Sequence, residues 1–301
     1  MPALVIVLIN GMGSSPLTAG RVHDLYFGLV PQIAQGGIVW LSSGEAAELH
    51  LTVEELVVAE GIADAIATEL AREPIDSALL LAANRRKRLL IADMESTMIA
   101  EECLDELAAA AGIGARVAAI TERSMRGEIG FDTSLRERVA LLKGMPLDEL
   151  ARLRDRLTPL PGAKTLVATM RGHGAATALV SGGFTYFTRP VAAELGFGAE
   201  FANVLGIAGD ALDGTVAEPI LGRAAKANHL RALAALHGLT PADAVAVGDG
   251  ANDIDMVQLA GLGVAYRGKP LLAGVADAVI RHADLTALLY LQGYTKADFA
   301  G

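Results

Sequence analysis

Several things are scarce in this chain of 301 residues. Cys103 is its only cysteine, which excludes an intrachain disulfide and a cysteine-built metal cluster and fits a reducing, cytoplasmic setting. Aromatic residues make up 4% of the chain and hydrophobic residues 52%, so the core has to be built from Ala, Leu, Val and Ile. Positive charge is also short, with 25 Lys and Arg against 35 Asp and Glu, a net charge of -10. That argues against a nucleic-acid partner, which requires a basic face to displace counterions from phosphates. It does not argue against a phosphorylated small molecule, because local charge and metal decide that. The six histidines show no paired metal-ligand spacing. Long apolar runs are missing too. Leu25 to Gly44 carries no charge, but Pro31, Gln32, Gln35, Gly36 and Gly37 interrupt it where a membrane-spanning helix needs apolar residues. The N-terminus lacks a basic segment followed by an apolar one, so no signal peptide is expected.

What is present is a repeated pattern. Leu89-Leu90-Ile91-Ala92-Asp93-Met94-Glu95-Ser96-Thr97-Met98-Ile99 reads as a buried parallel strand that delivers carboxylates at its carboxyl end, where open α/β sheets bind ligands. Ala178-Leu179-Val180-Ser181-Gly182-Gly183 and Ala244-Val245-Ala246-Val247-Gly248-Asp249-Gly250-Ala251-Asn252-Asp253 repeat the sequence of apolar strand, small-residue turn and polar groups. Three such strand ends can converge on one site. Alone, each motif has a plain structural explanation: Asp93 as a helix cap, Ser-Gly-Gly as a loop, Gly-Asp-Gly as a turn.

The chain ahead of this core predicts an apolar strand (Leu4 to Ile9), a helix (Leu17 to Ala34), strands Gly37 to Ser42 and Ala47 to Leu51, a helix (Val53 to Arg72) and a strand (Asp76 to Leu81). The order βαββαβ predicts a ferredoxin-like domain over residues 1–85. Small amino-acid-binding modules share that order, but packing or dimerisation is the simpler role, and a homodimer is compatible with it. Asn10-Gly11-Met12-Gly13 lacks the spacing and ending of a phosphate loop and reads as a turn. Asn84-Arg85-Arg86-Lys87-Arg88 reads as a solvated linker. Residues 86–301 form the second domain. About 80 residues separate its first two core strands, far more than one crossover helix needs, and residues 99–160 are helical in pattern, so an inserted cap is expected. Beyond it, the Asp213-Gly214 pair signals a hairpin turn, and Leu285 to Tyr294 a closing helix.

Asp93, Ser181, Asp249 and Asp253, with Lys226 between the second and third strand ends, resemble the haloacid dehalogenase superfamily of aspartate-nucleophile phosphatases. Within it the likeness extends to the phosphoserine phosphatase family through Glu101 to Leu107, Thr121 to Gly127, Ser134 to Gly144 and Ile280 to Leu285. The fold implied is α/β: a Rossmann-like parallel sheet with an inserted helical cap. The activity implied is magnesium-dependent hydrolysis of O-phospho-L-serine to L-serine and phosphate, a step of serine biosynthesis, through an aspartyl-phosphate intermediate. By resemblance Asp93 is the nucleophile and Glu95 the acid and base, at a position where the family usually has aspartate. Asp93 and Asp249 hold Mg2+ together with the backbone carbonyl of Glu95, and Asp253 binds it either directly or through another ligand. Ser181, Gly182 and Gly183 bind phosphate oxygens, Asn252 supports the site, and Lys226 offsets charge. Glu102 faces the substrate ammonium and Arg138, rather than Arg136, its carboxylate. Phe131 and Met125 are candidates for the pocket wall, and Cys103 for an inert buried thiol. The same residues leave two alternatives: a phosphatase or phosphotransferase acting on another small phosphomonoester, and a catalytically weak amino-acid-binding regulatory protein.

Overall fold

The computed structural model describes residues 3–29, 35–52 and 55–300, apart from the side chains of residues 29, 35 and 125. The first quarter of the chain follows the predicted order: β1 (Ala3–Asn10), α1 (Ala19–Leu29), β2 (Gln35–Ser42), β3 (Ala46–Thr52), α2 (Leu56–Glu69) and β4 (Ile75–Leu81). The expected end of the first helix at residues 30–34 and start of the second at 53–54 lie outside the described residues. The strands pair antiparallel in the order β2-β3-β1-β4. Alternation along β1 divides its side chains between two cores. Leu4, Ile6 and Leu8 pack with Val22, Leu25 and Ile66 of the two helices. Val5, Val7 and Ile9 face the other way and join the core of the larger module. A strand buried on both faces reads as one continuous apolar run.

The larger module opens with β5 (Leu89–Ala92) and continues into a helical insertion: α3 (Cys103–Ala110), α4 (Gly114–Met125), α5 (Phe131–Ala140) and α6 (Leu147–Arg154). The segments leading into and out of it pair at Ile99 and Pro159, with the Leu160 N–H donating to the Met98 carbonyl at 2.9 Å. After α7 (Ala163–Gly172) come β6 (Ala176–Phe184), α8 (Thr185–Leu195), β7 (Ala199–Asn203), the hairpin of β8 (Leu205–Ala208) and β9 (Ala211–Val216), and α9 (Arg223–Leu236). The chain then runs through β10 (Ala244–Gly248), α10 (Ile254–Leu259), β11 (Leu262–Tyr266), α11 (Pro270–Ala273), β12 (Ala278–Ile280) and α12 (Ala287–Leu291). Six strands form a parallel sheet in the order β12-β11-β10-β5-β6-β7. Strand β5 lies between β10 and β6, so the order of the sheet reverses there and the carboxyl ends of the three motif strands adjoin. Among the described residues no helix is long and apolar enough to cross a membrane.

Three expectations need correction. The hairpin turns at Gly209-Asp210, where Gly209 supplies φ +61°, and Asp213-Gly214 lies inside β9. Asp213 accepts the Thr215 N–H at 2.7 Å, and the hairpin docks on the cap, with Gly144 N–H donating to the Leu212 carbonyl. The basic run Arg85 to Arg88 is no solvated linker: Arg85 pairs with buried Glu48 at 2.6 Å, Arg86 with Asp298 at 3.1 Å and Arg88 with Asp243 at 3.1 Å. The buried Lys87 donates to the Ala242 carbonyl at 2.9 Å. The closing helix is shorter than expected, Ala287–Leu291, and buried along its whole length between the two modules.

Candidate active site

Asp93 follows β5 directly, and its N–H continues the sheet by donating to the Val247 carbonyl at 3.0 Å. Its buried carboxylate accepts the Met94 N–H at 2.8 Å and meets Lys226 Nζ at 2.8 Å. Lys226 projects from the first turn of α9 and is also 2.6 Å from Asp253 Oδ1. The other oxygen of Asp253 accepts the N–H groups of Asp249 and Gly250, at 3.2 and 3.1 Å. This packing requires glycine at 248, where a Cβ would lie 2.3 Å from the Asp253 carboxyl carbon. Burial by itself would lower the Lys226 pKa, but Asp253 and Asp93 outweigh it and hold it above its ordinary value. Burial and the neighbouring Asp253 push the Asp93 pKa up, against the pull of Lys226.

Carboxylate oxygens of Asp93, Asp249 and Asp253 come within 4.8 Å of one another. Three buried acids share one buried lysine, which leaves negative charge among them. Hard oxygen donors in that arrangement fit a divalent cation of the magnesium kind. Asp249 also meets Lys269, whose Nζ is 3.0 Å from Oδ2 and whose N–H donates to the Asp249 carbonyl at 2.8 Å. Sequence reasoning missed Lys269. The available signal was Arg267-Gly268-Lys269-Pro270, another charged turn at a strand end in front of a helix-starting proline.

Ser181, Gly182 and Gly183 lie within the irregular end of β6 rather than after it. The Ser181 hydroxyl oxygen accepts the Gly183 N–H at 2.9 Å. A Cβ on Gly183 would sit 3.2 Å from both carboxylate oxygens of Glu95, so Glu95 lies directly against this loop. Asn203, also missed, holds the loop from behind: its side-chain amide donates to the Gly182 carbonyl at 2.8 Å and accepts the Leu221 N–H at 2.7 Å. Asn252 Oδ1 stands 2.6 Å from the position of a Cβ on Gly250.

The side chain of Glu95 reaches α3 while still feeling the charge of Lys226. Its Oε1 accepts the N–H of Cys103, the first residue of α3, at 2.9 Å. Burial and the charge of Glu102 push its pKa up to about 7, against that N–H. Glu102 in turn accepts the Ser96 hydroxyl at 2.8 Å, and burial raises its pKa. Burial and Glu95 drive the Cys103 thiol pKa up, so the thiol is inert. Arg138 is half-buried on α5, and its charge faces Asp105, Glu95 and Glu102. Arg136 instead points outward and pairs with Glu218. Phe131 lies against the glycines of the loop, 3.3 Å from the position of a Cβ on Gly182. The Met125 side chain lies outside the described residues.

The arrangement combines a buried carboxylate fixed by a lysine, a cation-seeking acid cluster, a glycine loop and a second acid able to exchange protons. A family model of haloacid dehalogenase-like hydrolases matches residues 90–258, which spans all these strand ends. The chain belongs to the haloacid dehalogenase-like hydrolases. Among relatives in that family, a phosphoserine phosphatase of Archaeoglobus fulgidus is 45% identical over 205 residues, 68% of this chain and 60% of that protein. The chain thus spans about three fifths of that relative's length. A haloacid dehalogenase-family hydrolase from Salmonella enterica serovar Typhi superposes with a TM-score of 0.83 at 27% identity, covering 96% of this chain and 98% of that one. A phosphoserine phosphatase solved as an analogue of its phospho-aspartyl intermediate superposes with a TM-score of 0.64 at 38% identity, covering 70% of this chain and 100% of that one.

Proposed function

We propose that this haloacid dehalogenase-like hydrolase is a phosphoserine phosphatase of the cytoplasm, releasing L-serine and inorganic phosphate from O-phospho-L-serine. The observation that carries the reading is Asp93 fixed by Lys226 in the acid cluster, supported by two charged groups near it: Glu102, which feels the charge of Asp249, and Arg138, which feels the charges of Glu95 and Glu102. Asp93 attacks phosphorus and forms an aspartyl-phosphate while the P–O bond to serine breaks. Glu95 gives a proton to the departing serine oxygen, then takes one from the water that hydrolyses the aspartyl-phosphate. A pKa of about 7 suits a group that must both give and take a proton near neutrality. Lys226 offsets charge on Asp93 and on the phosphoryl oxygens. Ser181, Gly182 and Gly183 receive those oxygens, which requires the Gly183 N–H to exchange its bond to Ser181 for one to phosphate, and Asn252 supports the adjoining turn. Glu102 meets the substrate ammonium and Arg138 its carboxylate.

Asp93, Asp249, Asp253 and the Glu95 backbone carbonyl are the groups that would hold Mg2+. When bound, the ion neutralises charge on the phosphoryl group and on the surrounding carboxylates.

The test is phosphate release from O-phospho-L-serine, with magnesium and with a chelator. Metal-dependent turnover is expected. A folded, metal-loaded protein that releases phosphate from other monoesters but not from this one would redirect the reading to another substrate.

A further inference from the structure

One polar group on the site-facing side of α5 is so far without a role. Phe131, Ser134 and Arg138 stand at positions i, i+3 and i+7 and share one helix face. Both ends of that stripe meet the site: Phe131 packs on Gly182 and Gly222, and Arg138 faces the charges of Glu95 and Glu102. Ser134, between them, is 1% exposed, and among the described residues its hydroxyl has no hydrogen-bond partner. A helical serine usually escapes this by bonding to the carbonyl four residues back. Here the Gly130 carbonyl accepts only the Ser134 N–H. Arg138 is tied to the same spot, its Nε donating to the Ser134 carbonyl at 3.3 Å. Among the described residues no carboxylate forms an ion pair with the guanidinium, so its outer nitrogens are free. A buried hydroxyl without a partner and a half-buried cation without an anion, one turn apart on one face, are complementary to a carboxylate.

We propose that Ser134 is a specificity-determining residue whose hydroxyl donates a hydrogen bond to the substrate carboxylate beside the Arg138 fork. The proposal rests on the phosphoserine reading of the site. The ammonium of an amino-acid substrate belongs with the negative Glu102, which leaves the carboxylate for the donors of α5. An unpaired buried hydroxyl is unfavourable in the free protein, and the bound carboxylate relieves that cost.

The experiment compares wild type and Ser134→Ala in steady-state kinetics, in the presence of magnesium. It uses O-phospho-L-serine and O-phosphoethanolamine, the latter lacking the carboxylate and read as a substrate or as a competitive inhibitor. Thermal melts are recorded without either compound. KM for phosphoserine is expected to rise about tenfold with kcat little changed. The constant for phosphoethanolamine should not move, and the variant should melt no lower than wild type, since only an orphan hydroxyl is removed. An unchanged KM for phosphoserine, an equal rise with both compounds, or a clear drop in melting temperature would overturn the assignment. If the wild type fails to hydrolyse phosphoserine at all, the functional reading falls first and takes the assignment with it.

Discussion

Gly248 and Glu95 are the two residues whose replacement separates the parts of the site. A Cβ at position 248 would meet the Asp253 carboxylate, so Gly248→Ala must displace that carboxylate from Lys226 and from the Asp249 and Gly250 amides. Magnesium affinity should fall about 10- to 100-fold, measured by titration calorimetry without substrate. An unaltered affinity would remove Asp253 from the metal site. Glu95→Gln keeps an oxygen for the Cys103 N–H but loses the exchangeable proton. Turnover should drop by about 10²- to 10⁴-fold while the melting temperature holds; a kcat within a few-fold of wild type would mean another group moves the proton. Asp93, Ser181, Asp249 and Asp253 were legible in the sequence because each sits within a few residues of an apolar strand that fixes its position. The contact of Glu95 with α3 was not legible, and Lys269 was overlooked because a lysine in a turn has no periodic signature and only its place between the end of β11 and Pro270 marks it.

At the level of elements, the turn in front of β10 shows how a short capped segment sets sheet register. Asp243 accepts the N–H and hydroxyl of Thr240, both at 2.9 Å, and pairs with Arg88, while its own carbonyl accepts the Arg88 N–H. These bonds hold the start of β5 level with β10, in a register that pairs Ala92 with Val247 and so places Asp93 beside Gly248, one residue before Asp249. The Thr240 N–H, the Thr240 hydroxyl and Arg88 depress the Asp243 pKa to about 2. A carboxylate with a depressed folded pKa binds fewer protons folded than unfolded, so its stabilisation is present above the unfolded value and lost as pH falls through the folded one. Asp243→Ala should therefore cost about 1 kcal/mol at neutral pH. The difference from wild type should shrink between about pH 4 and pH 2, followed by denaturant melts across that range. A constant difference would mean that the ionised cap is not the source. Strand and helix order in the small module followed the apolar pattern, but the β8–β9 turn did not. Asp-Gly is a strong local signal, yet docking of β9 on the cap keeps that pair inside a strand, a constraint set by residues some 70 positions away.

In the whole molecule the two modules are locked together by polar groups that no local window reveals. Buried Asp76 on β4 accepts the N–H groups of Arg281, His282 and Ala283, at 2.9, 3.0 and 2.9 Å. Arg85 joins Glu48 of β3 to the Leu291 carbonyl, and Tyr290 donates to Glu45 at 2.6 Å. The sequence showed four cations in a row but not the distant acids that take them up, which is why the run looked solvated. The sheet face opposite α1 and α2 is covered by the larger module. Asp76→Ala leaves the buried Ala283 N–H and the half-buried N–H groups of Arg281 and His282 without their acceptor, and should cost about 1–3 kcal/mol and lower the main calorimetric transition by a few degrees. Modules that melt independently would leave that transition in place.

A covalent bond between Asp93 and phosphate is the central step of the proposed reaction. Acid-quenched protein taken during turnover of O-phospho-L-serine, digested and read by mass spectrometry, tests it directly. The predicted result is phosphate on the peptide carrying Asp93, absent from Asp93→Asn, whose turnover falls by at least about a thousandfold. Turnover at full rate by Asp93→Asn, or phosphate on another residue, would contradict it.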